Sequence, residues 1–311
     1  MKKYNKILLF LSCCFIVIGI LFYPNYKQQN NKPTITVTTT FLGDAVTNLV
    51  GDKVNLNVLM GPGVDPHVYQ ATPSDLNKIY NSDLVIYQGL KLEGKLAEVL
   101  ASINQPNINV LEATKNINRD ELIISFQKGD NIEYDPHIWF DPNLWNNVVN
   151  TISEEISITF PDLAFDAIKN NVKYQEQINN MGNEVKNIIN QIPQEQRILI
   201  TAHDAFNYLA RFTNIQVDAI QGLSIVSEAS TNDINRLVNI ITTHNIKSIF
   251  VESSVSPKLI NSLASNLNNQ GYDIKIGATL YSDSLGDKNS DASTYIDMYI
   301  TNATNIRNGL I

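Results

Sequence analysis

Cysteine is nearly missing from this 311-residue chain. The only two cysteines, Cys13 and Cys14, are adjacent and lie inside an apolar run at residues 7–23. The rest of the chain therefore has no thiol and no disulfide. Basic residues are also in deficit, since 23 Lys and Arg face 31 Asp and Glu, for a formal net charge of −8. This balance argues against nucleic acid as a partner and is compatible with attracting cations.

Several signatures of known chemistry are absent. The sequence has no Gly-rich phosphate loop, no GxSxG elbow, no HExxH and no repeat of solenoid period. Histidine is scarce, with four in the chain, yet two of them share a setting. DPHVY at 65–69 contains His67, and DPHIW at 135–139 contains His137. Two rare residues in the same short motif are candidates for one site.

The N-terminus carries an export or anchoring segment. MKKYNK precedes the apolar run at 7–23, which is the order of a basic and an apolar region in a secretory signal. The run is at the short limit for a membrane span, so a removed signal and an uncleaved anchor stay alternatives. Lipidation at Cys14 is a third. A polar stretch without periodicity at 24–33 follows the run and is interpreted as a tether. We predict that residues 1–31 are the export or anchoring segment plus most of this tether, and that the protein is extracytoplasmic, in the periplasm or on the outer face of the cytoplasmic membrane.

Beyond the tether, strand patterns alternate with helix patterns in two blocks. This alternation predicts a mostly parallel sheet flanked by helices in each block, and hence an α/β fold class. The first block has strands at 34–40, 54–60, 83–89 and 108–112, with helices at 41–51, 73–82 and 93–102. The second block has strands at 197–202, 215–220, 248–252 and 273–280.

Between the blocks, a helix at 143–160 is followed by a longer one. From 162 to 191 apolar residues recur at steps of mostly three and four without proline, which predicts roughly 30 residues or about 45 Å of helix. The apolar positions of this helix are Phe165, Ile168, Val172, Ile178, Met181, Val185 and Ile188. We predict two lobes, 32–160 and 193–311, joined by one long rigid helix at 161–192.

Candidate metal ligands lie at the predicted strand ends. His67 follows the strand at 54–60, His203 directly follows 197–202, and Asp283 follows 273–280. In open α/β sheets ligands collect outside the carboxyl ends of strands. With His137, these residues would form a set of three nitrogens and one oxygen that suits a divalent transition metal. The alternative is that each histidine is a hydrogen-bonded structural residue.

Four further residues have weaker interpretations. His244 lies near the C-terminal end of a helix predicted at 231–245, where a histidine interacts favourably with the helix dipole, so we interpret it as structural. Asp65 and Asp135 could accept hydrogen bonds behind the histidines or cap their loops. Glu252 could be the base of a zinc hydrolase or a structural hydrogen-bond partner.

Four stretches, in order and in register, closely resemble one known family. They are GVDPHVYQATPSD (63–75), DPHIWFDP (135–142), TAHDAFNYLA (201–210) and YSDSLGD (281–287). The family is the zinc/manganese/iron solute-binding proteins of ABC transporters, the cluster A-I group, and the resemblance extends from about residue 34 to the C-terminus. It implies two α/β lobes joined by one long helix, with a metal bound between them.

By this resemblance, His67 and His137 would be the ligands of the first lobe, and His203 and Asp283 those of the second. The protein would capture zinc or manganese, possibly iron, as cargo and deliver it to a membrane permease and its ATPase. It would be a monomer and not an enzyme. The alternatives are a zinc-dependent hydrolase and a surface adhesin with a structural metal.

The resemblance leaves the metal open. Many manganese-associated members have Glu where this chain has His203, whereas many zinc members carry a His-rich acidic loop between the first two ligands. Here residues 112–134 contain no histidine.

Overall fold

The computed structural model describes residues 32–103, 107–222 and 231–311. The predicted signal or anchor at 1–31, with Cys14, lies outside these ranges. Within them, no helix combines the length and the apolar character that crossing a membrane requires.

The first block forms a four-stranded parallel sheet, as predicted. Its strands are β1 Thr34–Val37, β2 Asn55–Val58, β3 Leu84–Tyr87 and β4 Asn109–Glu112. The strand order is β2-β1-β3-β4, and Val37 of β1 is opposite both Val58 and Ile86. All four carboxyl ends therefore meet at one edge of the sheet.

Side chains cap the first two of the three crossover helices at their N-termini. They are α1 Thr40–Val50, α2 Pro73–Tyr80 and α3 Lys95–Ala101. Thr72 and Asp75 form a capping box at the start of α2, with Pro73 in its first turn. Gly51 ends α1 with φ of 59°, a value that favours glycine. Each helix carries the chain from the carboxyl edge of the sheet back to its amino-terminal edge.

A β-hairpin that the sequence did not predict occupies part of the histidine-free region. It pairs β5 Ile124–Lys128 with β6 Asn131–Tyr134 in antiparallel fashion, turning at Gly129. Every residue of β5 is exposed. Exposure of both faces removes the alternation of apolar and polar residues by which a strand is recognised. The hairpin leads directly into the loop of His137.

The predicted long helix is confirmed. After α4 Pro142–Thr159 and a short 3₁₀ turn at Pro161–Leu163, α5 runs over Ala164–Ile189. Its 26 residues span about 39 Å. The helix begins and ends about two residues inside the predicted bounds, and it packs against α4 and α1.

The apolar face predicted for α5 is wrong in its N-terminal half. Phe165, Ile168 and Val172 are 74%, 57% and 68% exposed, whereas Ile178, Met181 and Val185 are buried and Ile188 is partly buried. The N-terminal part instead buries Ala167, Asn171 and Tyr174. Both rows repeat at steps of three and four, so periodicity alone does not choose between them. Polar contacts to neighbouring helices do, because Asn171 bonds to α4 and the Tyr174 hydroxyl donates to a carboxylate of α1.

The second block contains two six-residue strands, two two-residue strands and further helices. The strands are β7 Ile198–His203, β8 Gln216–Gln221, β9 Ser248–Ile249 and β10 Lys275–Ile276. The helices are α6 Asn207–Thr213, α7 Thr231–Thr243, α8 Lys258–Asn269 and α9 Tyr295–Leu310. β7 pairs with β8 and β9 with β10, all in parallel. The amide of Phe250 donates to the carbonyl of Ile200 (2.9 Å) and joins the two pairs.

The strand predicted at 273–280 is reduced to β10 and one isolated bridge between Leu280 and Glu252. Gly277 separates the two parts. A Cβ there would lie 2.4 Å from the ring of Phe250, so the backbone passes directly against that ring.

Residues Pro33–Ile311 form one compact unit, with one large apolar cluster that includes residues of both blocks. The lobe boundaries at 160 and 193 stay a prediction.

Candidate metal site

The fold brings the four predicted ligands together. Each offers one nitrogen or oxygen atom, and these atoms lie within 4.8 Å of one another. His137, His203 and Asp283 are buried, whereas His67 is partly exposed. The fourth histidine of the chain, His244, is exposed one residue beyond the end of α7.

The spacing of these atoms fits one small cation. Nε2 of His67 lies 3.2 Å from Nε2 of His137, which lies 3.3 Å from Oδ1 of Asp283. Nε2 of His203 lies 3.4 Å from Oδ2 of Asp283. Two ligand atoms at tetrahedral angles around zinc, each about 2.0–2.1 Å from it, are separated by about 3.3 Å. The set could therefore hold a metal ion.

Unpaired polar atoms point to the same conclusion. Among the described residues, Nε2 of His203 and Oδ1 of Asp283 are buried without a hydrogen-bond partner. Buried polar atoms in proteins are nearly always paired, and an unpaired one calls for an explanation such as an ion. A cation bound by both atoms would satisfy them.

Strand ends place the ligands, as the sequence predicted. His67 lies in the loop after β2, and Asp283 follows the bridged residue Leu280. His203 differs slightly, because it is the last residue of β7 rather than the first of the loop. Its backbone is therefore held by the sheet, which restricts the position of its ring.

The carboxylate of Asp135 orients His137. Its Oδ1 accepts a hydrogen bond from the backbone amide of His137 (2.9 Å) and lies 2.7 Å from Nδ1 of the same residue. Asn207 donates to Oδ2 (3.1 Å), and the Tyr208 hydroxyl donates to the Asp135 carbonyl (2.9 Å). A carboxylate on Nδ1 leaves Nε2 available to coordinate a metal and raises its basicity. The second block thus supports a ligand of the first.

Glu252 does the same for His203. Its Oε1 accepts hydrogen bonds from the amides of Ala202 (2.9 Å) and His203 (3.0 Å), and its Oε2 lies 2.6 Å from Nδ1 of His203. With both oxygens directed to this ligand, Glu252 is a structural partner. Its contacts argue against the role of a hydrolytic base.

Asp65 supports only the backbone of His67. Its Oδ1 accepts from the His67 amide (2.8 Å), and its Oδ2 is buried without a hydrogen-bond partner in the described chain. Gly94 lies behind the loop with φ of 47°, and a Cβ there would lie 2.5 Å from the carbonyl oxygen of His67. His67 is therefore positioned by the close contact between its carbonyl and the backbone at Gly94, and not by a carboxylate on its ring.

Two serines of the second block hold Asp283, and the first block bonds to the residue next to it. The hydroxyl of Ser254 donates to its Oδ2 (2.8 Å), and that of Ser282 does so at 3.3 Å. The indole nitrogen of Trp139, two residues after His137, donates to the carbonyl of Ser282 (2.9 Å). The two ligand loops are thus joined by a hydrogen bond next to the site.

The pKa values of the three histidines are shifted in opposite directions. Burial lowers the pKa of His67 to about 4. Burial also disfavours charge on His137, but Asp135 and Asp283 outweigh it and raise its pKa to about 9. The pKa of His203 is raised well above its ordinary value because Glu252 and Asp283 overcome the same burial. Burial would raise the pKa of Asp283, but the imidazoles of His203 and His137 hold it well below the usual range.

Sequence reasoning missed the segment behind the first-block ligands. The side-chain amide of Gln88, which is buried, donates to the carbonyl of Pro136 (2.6 Å), next to His137. Glu93, also buried, accepts from the amide of Gln88 (2.6 Å) and from the hydroxyl of Thr38 (2.8 Å). No motif marked either residue, because a polar side chain at a strand end has no periodic pattern of its own.

An α/β fold that gathers three histidines and one carboxylate at its strand ends has the features of a metal-binding solute receptor. The family described as "Zinc-uptake complex component A periplasmic" matches residues 35–309. The chain belongs to this family, and the resemblance predicted from the four motifs is confirmed. This membership favours a solute-binding component over the zinc hydrolase alternative.

Individual relatives agree in fold and sequence. The manganese-binding lipoprotein MntA of Bacillus subtilis is 37% identical, over 91% of this chain and 92% of that protein. The manganese ABC transporter substrate-binding lipoprotein PsaA of Streptococcus pneumoniae is 26% identical, over 100% of this chain and 99% of its own length. The solved structure of the periplasmic zinc-binding protein TroA of Treponema pallidum superposes with a TM-score of 0.84 at 34% identity, covering 90% of this chain and 99% of that one.

Proposed function

We propose that this protein is the extracytoplasmic substrate-binding component of a divalent-metal ABC importer. It binds zinc or manganese, with iron as a further possibility, through His67, His137, His203 and Asp283, and delivers the ion to a membrane permease driven by an ATPase. The observation that carries the proposal is the convergence of these four side chains from distant parts of the chain. The names of its relatives, which bind manganese or zinc, support it.

The donor set suits capture followed by release. Four protein atoms fill a tetrahedral shell, whereas catalytic zinc keeps a position open for water. If residues 32–160 and 193–311 act as lobes around α5, a small displacement of one lobe would weaken several metal bonds together. Affinity for such nitrogen-rich sites rises from manganese through iron to zinc, so zinc should bind most tightly in a test tube.

The protein acts as a monomer outside the cytoplasm. The apolar run at 7–23 would hold it at the cytoplasmic membrane, either as an anchor or through a lipid on Cys14, and the lipoprotein names of several relatives favour the lipid. The tether at 24–33 then leaves the metal-binding part free to reach a permease.

Metal analysis of protein purified without chelator tests this function. Native protein should contain about one equivalent of metal, and the variants Asp283→Ala and His203→Ala should lose it, because each removes a ligand atom. His244→Ala is the matched control, since it removes the histidine that lies outside the site. If both ligand variants retained stoichiometric metal, the assignment of the site would be wrong.

A further inference from the structure

The solvent side of α5 exposes a row of apolar side chains that the fold does not use. Phe165, Ile168 and Val172 are spaced by three and four residues, so they lie on one face of the helix. All three are more than half exposed, and Ile158 near the end of α4 is 75% exposed. We call Phe165, Ile168 and Val172 the α5 stripe. A contiguous exposed apolar surface with a large aromatic residue commonly marks an interaction site.

The stripe lies at the end of the molecule opposite the metal ligands. Asn170, within the stripe region, donates to the carbonyl of Leu49 at the end of α1 (2.8 Å). Asp166 forms an ion pair with Lys53, two residues before β2. These contacts place the first turns of α5 at the amino-terminal edge of the first sheet, whereas His67 lies beyond its carboxyl edge.

The tether enters the fold at this same edge. The carbonyl of Pro33, just before β1, accepts a hydrogen bond from the amide of Asn55 at the start of β2 (2.8 Å). Asn109, at the start of β4, donates to the hydroxyl of Thr159, the last residue of α4 (3.1 Å). The point where the chain arrives from residues 24–33 and the end of α4 beside Ile158 are therefore on one side of the molecule.

The length of the tether limits how far this edge can be from the membrane. Ten residues span at most about 35 Å when fully extended. A surface kept this close to a bilayer has a high effective concentration there, so even weak contacts are populated.

Lys169 and Lys173 are exposed on the adjoining face of α5, where their ammonium groups can reach lipid phosphates.

We propose that the α5 stripe rests on the lipid bilayer that holds the N-terminal segment, with Phe165 inserted among the headgroups and upper acyl chains. This inference depends on the membrane attachment in the proposed function. In this collecting orientation the ligand edge faces away from the bilayer, toward the compartment that supplies the ion. Delivery to the permease then requires the stripe to leave the lipid. The formal net charge of −8 repels anionic lipids only weakly at a distance, because at physiological salt this repulsion decays over about 8 Å.

The natural tryptophans make a fluorescence test possible. Both of them, Trp139 and Trp145, are fully buried, so a tryptophan placed in the stripe would be the one that lipid quenchers reach. The full chain carrying Phe165→Trp is reconstituted in vesicles of phosphatidylethanolamine and phosphatidylglycerol with brominated acyl chains. We expect its quenching to be several-fold stronger than that of Phe126→Trp, a matched aromatic position that is 46% exposed on β5, in the hairpin that leads to His137.

Adding Ile168→Ser and Val172→Ser to the Phe165→Trp chain should remove most of that quenching. Equal quenching at both positions, or none at either, would overturn the inference. So would protection of the new tryptophan from an aqueous quencher without quenching by brominated lipid, since a second copy or another segment of the chain would then cover the stripe. The metal content of the protein in the same vesicles tests the metal site independently. Bound metal without lipid quenching would contradict the lipid contact and leave the metal-binding proposal standing.

Discussion

The two DPH loops have the same local sequence and different structures. In the second loop, Asp135 contacts both the backbone amide and the ring of His137, and residues of α6 hold the Asp135 carboxylate and carbonyl. In the first loop, Asp65 contacts only the backbone of His67. His137 is fully buried, whereas His67 is partly exposed. A shared motif therefore gives one fixed ligand and one with more freedom.

The difference indicates how an ion could enter and leave. The ring of His137 is positioned by Asp135 before any ion binds, whereas the ring of His67 has no such carboxylate partner and can move with its own loop. We infer that the ligands held by carboxylates supply most of the affinity and that the less restrained His67 governs access. Four predictions test this division of roles.

The largest effect should separate the two ligands themselves. We expect His137→Ala to weaken zinc binding by more than about 100-fold, because it removes a ligand and leaves the buried carboxylate of Asp135 without its ring partner. His67→Ala should cost several-fold less. Competition with a chromophoric chelator measures both. Equal losses would mean that the two loops contribute alike.

The second largest effect on metal affinity should come from substituting the carboxylates that contact the candidate ligands. Asp135→Asn should lower metal affinity by about 10–100-fold, as expected when a partner that orients a histidine ligand is removed. Asp65→Asn should change it less, since Asp65 makes no comparable contact with the ring of His67. The same competition titration measures the metal affinity of both variants, and thermal unfolding of the metal-free variants is the control for folding. A larger effect at Asp65 would reverse the assignment.

Binding should depend on pH through His137 and His203 rather than His67. In the metal-free protein the raised pKa of His137 contributes stability that is present below its ordinary pKa of 6.5 and lost as pH rises through about 9. An ion must displace that proton, so affinity should increase about tenfold per pH unit for each proton released. His67, with its pKa near 4, is already neutral and adds no such dependence.

Titration calorimetry in buffers of different ionisation enthalpy counts the protons released at neutral pH. We expect at least one in native protein and an unchanged number in His67→Ala. Release that disappears in His67→Ala would contradict the division between the loops.

The smallest effect should come from the backbone behind His67. Gly94→Ala would bring a Cβ to 2.5 Å from the His67 carbonyl, so the loop must shift, and we expect a few-fold loss of metal affinity. Gly129→Ala is the matched control, because Gly129 also has a positive φ, of 62°, but has open space around its Cβ position. Both variants should lose about 1 kcal/mol of stability from backbone strain. Equal affinities would show that Gly94 does not position the ligand.

Much of the architecture could be predicted because it repeats locally. The parallel strands of the first block and the long helix α5 follow from patterns within each segment, and their ends moved by only a few residues. The hairpin at β5 and β6 was missed because both of its faces are exposed. The strand before Asp283 was overpredicted, since its apolar residues pack without continuous pairing to β9.

Sequence by itself determined which four residues are candidate ligands, since His67, His203 and Asp283 follow predicted strands and His137 repeats the short motif of His67. It also determined that a long helix separates the two blocks. Only the tertiary structure decided which carboxylate contacts which imidazole, and which of two equally spaced rows of α5 is buried. The physical reason is that hydrogen bonds to His137 and His203 and packing against α5 join residues that are distant in the chain, and local patterns carry no information about such partners.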